Sequence, residues 1–94
     1  MNVYMIRLRE RYEAHQVFII AANTKDEAEF WVKERLDTMT WRPGKSWSDM
    51  LLEYSLKYPN ELVLESSRDW RDRSVTELEN VYFNGTETKL ISYF

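Results

Sequence analysis

The spacing of apolar residues changes at Thr24, and this change constrains the fold more than any other feature of the sequence. Residues Val3–Arg11 alternate between apolar and polar side chains, a period of two that is typical of a half-buried β-strand. Residues Gln16–Ala22 are rich in β-branched and aromatic types and predict a second strand, covered on both faces. After Thr24 the period becomes helical, so the chain is predicted to open with a β-hairpin followed by a helix.

The first helix is predicted over Lys25–Thr38. Thr24 and Glu27 have the spacing of a capping box, in which a hydroxyl and a carboxylate each accept a hydrogen bond from a free backbone N–H at the helix start. The apolar residues behind this box fall on one stripe: Ala28, Trp31, Val32, Leu36 and Met39. The stripe predicts an amphipathic helix packed on the hairpin.

A second helix is predicted over Trp47–Lys57. Pro43 and Gly44 prevent the first helix from continuing, because the residue before a proline is restricted to extended geometry and glycine favours a turn. Ser46 and Asp49 then repeat the capping pattern. The residues at helical spacing that we expect in the core are Trp47, Met50, Leu51, Tyr54 and Tyr58.

Three further strands are predicted in the C-terminal half. The run Glu61–Glu65 is short and apolar between charges. Val81–Phe83 has strand composition. Ser74–Asn80 before it is ambiguous, since Ser74 and Glu77 could cap a helix, and a strand is favoured. The last strand is Lys89–Phe94. Asn84-Gly85 lies between the last two strands and predicts a type I′ hairpin turn, because both central positions of that turn need a positive φ.

The predicted order of elements is β-β-α-α-β-β-β, which indicates an α+β fold with a mainly antiparallel sheet and two helices packed on one face. A chain of 94 residues is expected to form one domain, covering 1–94. No cysteine is present and the longest apolar run is only Val17–Ala22, so we expect a cytoplasmic protein without disulfides or a membrane segment.

Residues that carry catalysis or bind cofactors are scarce. The sequence has one histidine, His15, no cysteine, and two isolated glycines, so it predicts no activated nucleophile, no metal site and no cofactor. We therefore expect a protein that is not an enzyme. A carboxylate-based hydrolase is the minor alternative, because four acidic residues lie close together in sequence: Asp69, Asp72, Glu77 and Glu79.

Two tryptophans lie beside arginines in predicted loops, whereas most of the 14 aromatic residues fall on predicted helical stripes or strands. Tryptophan and arginine are the residue types enriched at binding hot spots. The candidate protein-binding residues are Trp41, Arg42, Arg68, Trp70, Arg71 and Arg73. The chain is therefore predicted to be a small module that binds another protein, with the alternative that the two tryptophans cover the core while their arginines are solvated.

A second binding hypothesis concerns Arg7, Arg9 and Arg11, which a strand would place on one face. Such a row could follow the phosphates of a nucleic acid, or it could pair with carboxylates of a neighbouring element. The net charge of −3 disfavours nucleic acid, which therefore remains the alternative partner. A homodimer is a further possibility, because the C-terminal strand could lie at a sheet edge and pair with a second copy.

The strand-to-helix passage Ile19–Ala28 and the Asn84-Gly85 pair resemble the short accessory proteins of bacteriophages and other mobile elements. Some of those proteins inhibit host defence enzymes by binding them. The resemblance implies an inhibitor or adaptor that acts by occupying a surface of its partner, and it assigns a role to no individual residue.

Overall fold

The computed structural model describes residues 1–9 and 16–94. Within those residues it contains two helices and four antiparallel strands in the order β-β-α-α-β-β, which confirms the α+β class. The elements are β1 (Asn2–Leu8), β2 (Gln16–Ala22), α1 (Lys25–Thr38), α2 (Trp47–Lys57), β3 (Arg73–Tyr82) and β4 (Lys89–Tyr93). Arg11 and His15, which the sequence hypotheses used, lie outside the described residues.

The sheet has the strand order β3-β1-β2-β4, with each neighbouring pair antiparallel. β1 and β2 pair over their full length, from Asn2 opposite Ala22 to Leu8 opposite Gln16. The alternation predicted for β1 is confirmed, since its even-numbered apolar residues are buried in the cluster that includes the apolar side of α1: Tyr4, Ile6 and Leu8. In β2 both faces are covered except at Ile19, which is half-buried.

Both helices begin and end at the predicted residues because their starts are fixed by local capping. At α1 the Thr24 hydroxyl accepts a hydrogen bond from the backbone N–H of Glu27 at 3.2 Å. At α2 the capping box is complete, since Ser46 and Asp49 each accept from the backbone N–H of the other at 3.1 and 3.0 Å. The hydrogen bond from the Ser46 backbone lowers the pKa of Asp49.

The core has two parts. Four residues of the predicted α1 stripe pack in the cluster of β1 and β2, namely Ala28, Trp31, Val32 and Leu36. The fifth, Met39, belongs instead to a second cluster with Met50, Tyr54 and Tyr58. Trp47 was also expected in the core, and this prediction is wrong, because its side chain is 50% exposed. It is the first residue of α2, so it lies at the helix end, one turn before the residues that pack inward.

The run Glu61–Glu65, predicted as a strand, has no regular secondary structure. Its backbone is held by a side chain instead of a strand ladder: the Tyr54 hydroxyl donates to the Leu62 carbonyl at 2.8 Å and accepts from the Leu64 N–H at 3.2 Å. Leu64 is fully buried in the main core. The segment is therefore an irregular connection that is anchored in the core by Leu64 and held to α2 by Tyr54.

The predicted hairpin at Asn84-Gly85 is wrong, because β3 and β4 lie at opposite edges of the sheet. Phe83 and Met1 exchange backbone hydrogen bonds at 2.7 and 2.9 Å, so β3 ends beside the start of β1. The chain must then pass β1 and β2, a distance of about 14 Å at 4.8 Å per strand spacing. Residues 83–88 make this crossing, and Gly85 does not adopt a positive φ.

Candidate functional site

The four tryptophans differ in exposure, and two of them are accessible. Trp41, in the connection between the helices, is 70% exposed, and Trp47 at the start of α2 is 50% exposed. Trp31 and Trp70 are only partly exposed and pack against the main core. Of the two tryptophans that the sequence nominates for protein binding, Trp41 is therefore accessible to a partner, whereas Trp70 packs against the core.

Arg42, beside Trp41, is tied to α2 and to the end of α1. Its guanidinium donates to Glu53 at 2.7 Å and to the Thr38 carbonyl at 3.3 Å. The hydrogen bond from Arg42, with a second from Lys57, lowers the pKa of Glu53 to about 2. Arg42 therefore holds the connection that presents Trp41, and it contributes to the surface mainly by fixing that geometry.

Trp70 and Arg73 form a contact inside the protein. The Arg73 guanidinium lies 4.7 Å from the centre of the Trp70 ring, donates to the Trp70 carbonyl at 3.2 Å, and pairs with Glu29 of α1 at 3.0 Å. These contacts connect the start of β3 to α1. For Trp70 the alternative interpretation, a tryptophan folded over the core, is the one that the structure favours.

Arg71 remains on the surface, where its side chain is 89% exposed and pairs with Asp69 at 2.9 Å. Hydrogen bonds from Arg71 lower the pKa of Asp69. Asp72, Glu77 and Glu79 are exposed, and none of the four acidic residues lines the cleft described next. Among the residues that the structure describes, no group of three or more His, Cys, Asp or Glu side chains could hold a metal ion.

A cleft of about 460 Å³, called here the Trp47 cleft, lies between the start of α2, the loop after Leu64 and the ends of β2 and β4. Its main lining residues are Gln16, Met39, Trp47, Ser66, Arg68 and Tyr93. Gln16 is buried, and its side-chain N–H groups donate to the Tyr93 hydroxyl at 2.8 Å and to the Glu65 carbonyl at 2.9 Å. One buried amide thus fixes two walls of the cleft.

The Trp47 cleft offers hydrogen-bond donors beside an apolar wall. The Tyr93 oxygen accepts from Gln16 and the Ser66 oxygen accepts from the Arg68 backbone N–H, which leaves both hydroxyl protons available to a ligand. Trp47 and Met39 supply the apolar side. Such a mixture fits a ligand side chain that carries a hydrogen-bond acceptor. Arg68, one of the candidate protein-binding residues, lines this cleft together with the exposed Trp47.

Sequence reasoning missed Gln16, Trp47 and Tyr93 as parts of a site. Gln16 had a signal, because it is a polar residue that begins an otherwise apolar strand. Trp47 and Tyr93 had none, since each fits a helical or strand pattern and only the tertiary structure brings them to one cleft.

The arginine row is only partly supported. Arg7 is half-buried between Val17 of β2 and Ser74 of β3, and Arg9 is exposed just after β1. Neither forms an ion pair with a described residue. The proposed pairing with a neighbouring carboxylate is therefore not found in the described part of the chain.

The fold and the site together define a small α+β domain with a four-stranded antiparallel sheet and a partly apolar surface at one end of its helices. No protein-family model, no curated protein and no solved structure matches this chain. Within the described residues, neither helix has the length and apolar character needed to cross a membrane.

Proposed function

We propose that this protein is a cytoplasmic protein-binding module that occupies a surface of its partner with the region around Trp41 and Trp47. The observation that carries this proposal is the exposure of two tryptophans, six residues apart, on either side of the Ser46 cap. Tryptophan is the residue type that contributes most often to binding hot spots, and leaving its apolar surface in water is unfavourable. The lack of cysteine supports the choice of compartment.

The support beneath these tryptophans favours a binding role. Arg42 and Glu53 hold the inter-helix connection, and the complete capping box holds Trp47 at the start of α2. A side chain on a fixed backbone loses less conformational entropy when it binds. An inhibitor or an adaptor, the role implied by the resemblance to phage accessory proteins, is the form of binding that we propose.

Site-specific photo-crosslinking in a host lysate tests this proposal. We replace Trp41 with a photo-reactive residue and, as a matched control, replace Tyr82, which is 75% exposed on β3. A partner captured from position 41 but not from position 82 is the expected result. Equal capture from both positions, or none from position 41, would contradict the proposed surface.

The affinity of the purified partner then measures the contribution of each tryptophan. We expect Trp41→Ala and Trp47→Ala each to weaken binding by about 2 kcal/mol or more, the range of hot-spot residues. Tyr82→Ala should leave the affinity unchanged. If both tryptophan variants bind as tightly as the wild type, the partner uses another surface.

Nucleic-acid binding is a second candidate, supported by Arg7 and Arg9, which have no acidic partner among the described residues. Titration of labelled single- and double-stranded oligonucleotides at low and high salt tests it. Binding that weakens as salt rises and is reduced by Arg9→Gln supports this candidate, because phosphate contacts release counterions. Absence of binding at low salt rules it out.

A further inference from the structure

We propose that the outer edge of β4, which pairs with no other strand among the described residues, takes up an extended segment of the partner protein as a fifth strand, with alternate side chains of that segment in two clefts beside the edge. This inference rests on the proposed protein-binding function and names the form that the partner takes. Strand addition of this kind draws affinity from main-chain hydrogen bonds and specificity from pockets for alternate residues.

The backbone of β4 has groups available for such pairing. Val17 and Phe94 exchange both of their backbone hydrogen bonds, at 2.6 and 3.0 Å. In an antiparallel pair the groups of the next residue point the other way, so the N–H and C=O of Tyr93 face the free edge. Within the described residues, the backbone of β4 pairs only with β2.

Both edges of the sheet carry features that hinder the addition of a new strand, and β3 carries more of them than β4. β3 carries Glu77 and Glu79, and Asn80 in the left-handed conformation with a φ of 59° interrupts it. Charges and backbone irregularities are the usual means of blocking an edge. β4 has one charged residue, Lys89, and one irregularity, at Ile91, whose side chain is 43% exposed.

Two clefts lie beside the β4 edge on the side of the sheet that carries the helices. The Trp47 cleft includes Tyr93, and a second cleft of about 490 Å³, the Trp31 cleft, includes Leu90. Leu90 and Tyr93 pair with Ile20 and Phe18, two residues apart on β2. That separation is about 7 Å, the spacing between alternate residues of a strand.

The lining of each cleft indicates the side chain it would take. The Trp31 cleft has apolar surface from Trp31, Leu62 and Leu90, bordered by charged side chains that include the Arg35–Glu61 ion pair, Glu87 and Lys89. The apolar part suits an aliphatic residue. The Trp47 cleft offers the hydroxyl proton of Tyr93, which suits a residue with a hydrogen-bond acceptor, such as Ser, Thr, Asn or Asp. The partner segment therefore combines an aliphatic and a polar residue at alternate positions.

A second copy of this chain fits the edge less well than a different polypeptide. If the β4 strands of two copies paired, each copy would have to insert its own Leu90 and Tyr93 into the two clefts of the other copy. Leu90 already packs against the main core, and Tyr93 contacts the Phe18 ring at 5.2 Å and accepts from Gln16. Neither can fill a cleft of a neighbour without leaving its own contacts.

Selection from a library of random peptides displayed on phage tests the inference with a defined probe. Enriched peptides are synthesised and their affinity is measured for the wild type, for Ile91→Lys and for Val81→Lys. The two substitutions are matched, because both residues are exposed aliphatic side chains on edge strands, at 43% and 48%. We expect loss of measurable binding in Ile91→Lys, which places a charge on the β4 edge, and unchanged binding in Val81→Lys.

Amide hydrogen exchange of the wild-type protein gives a second readout that does not depend on how a variant folds. The Tyr93 N–H should exchange more slowly when an enriched peptide is added, because it then donates to the new strand. The inference is overturned if no peptide is enriched, if Ile91→Lys binds as the wild type does, or if Tyr93 exchange is unchanged. A wild-type dimer that dissociates in Ile91→Lys overturns it as well, since a second copy then fills the edge.

Failure of this inference can be told apart from failure of the proposed function by using Trp41, which lines neither cleft. If Trp41→Ala lowers the affinity of the captured partner but Ile91→Lys does not, the protein-binding function stands and strand addition is wrong. If peptides bind the β4 edge but Trp41→Ala leaves the affinity of the captured partner unchanged, strand addition stands and the proposed tryptophan surface is wrong.

Discussion

The side-chain amide of Gln16 donates one hydrogen bond to the hydroxyl of Tyr93 at 2.8 Å and another to the carbonyl of Glu65 at 2.9 Å. These bonds join β2 to β4 and to the irregular segment after α2. Because Tyr93 forms part of both the β4 edge and the Trp47 cleft, the same amide supports the two surfaces for which we propose a function.

Substitution of Gln16 should therefore lower stability. Gln16→Leu removes two hydrogen bonds, each worth about 0.5–1.5 kcal/mol, and this loss is partly offset because the substitution also removes the Gln16 side-chain oxygen, which is buried without a partner. Urea denaturation measures the free energy of unfolding. The control is Tyr93→Phe, which removes one of the two bonds and keeps the ring against Phe18, so its loss should be smaller. A larger loss in Tyr93→Phe would show that Gln16 is not the main connection.

Tyr54→Phe should destabilise the segment after α2. The Tyr54 hydroxyl holds the Leu62 carbonyl and the buried Leu64 N–H, and removing it leaves the N–H without a partner at a cost of about 1–3 kcal/mol. Tyr82→Phe is the control, since Tyr82 is exposed on β3 and its change should stay within about 0.5 kcal/mol. Equal losses in thermal unfolding would contradict the role of this hydroxyl.

Arg35→Lys should be destabilising although the charge is kept. The buried Arg35 lies between the rings of Trp31 and Tyr58, at 3.6 and 4.2 Å, and pairs with Glu61 through two bonds of 3.0 and 3.1 Å. A lysine reproduces neither the stacking nor the two-pronged pair, so we expect a loss of about 1–2 kcal/mol.

A double-mutant cycle with Glu61→Gln isolates the energy of the Arg35–Glu61 pair. The exposed pair of Lys33 and Asp37 on the same helix, at 2.6 Å, is the matched comparison and should show little coupling. Coupling of the same size in both pairs would mean that burial between the two rings adds nothing.

Stability should fall in acid through Glu53. The pKa of Glu53 is lowered from 4.5 to about 2, so its stabilising effect is present above pH 4.5 and is lost as the pH falls toward 2. Glu53→Gln should lower the urea midpoint at neutral pH and have little effect near the lower pKa. Glu79→Gln on β3 is the control. An equal effect of Glu53→Gln at both pH values would show that the charge is not responsible.

Two turn substitutions test the path of the chain. Gly44 has a φ of 81°, so Gly44→Ala should cost about 1 kcal/mol through backbone strain. Asn84 has no positive φ and is exposed, so Asn84→Ala should change the free energy of unfolding by less than about 0.5 kcal/mol. If Asn84→Ala lowers the free energy of unfolding as much as Gly44→Ala does, the turn at Asn84 is strained, as the hairpin prediction requires.

The burial of Arg35 in α1 could have been predicted from the sequence. It lies seven residues after Ala28 and three after Val32, which places it on the buried stripe of α1. A charged residue at such a position needs a partner, yet the sequence does not indicate Glu61, which is 26 residues away. The burial was predictable from the helical period, and the ion pair was not.

The sequence alone determined both helices to the residue, the pairing of β1 with β2 and the α+β class, because caps, periodicity and a short connection act between neighbours in the chain. Only the tertiary structure decided that β3 pairs with β1, that β4 lies at the opposite edge, and that Trp47 meets Tyr93 across a cleft. A turn preference such as that of Asn84-Gly85 contributes little beside the backbone pairing of the ten-residue β3 along β1. The candidate site belongs to this second group, since the Trp47 cleft brings together residues far apart in sequence, from the start of β2, the loop after Leu64, the start of α2 and the end of β4.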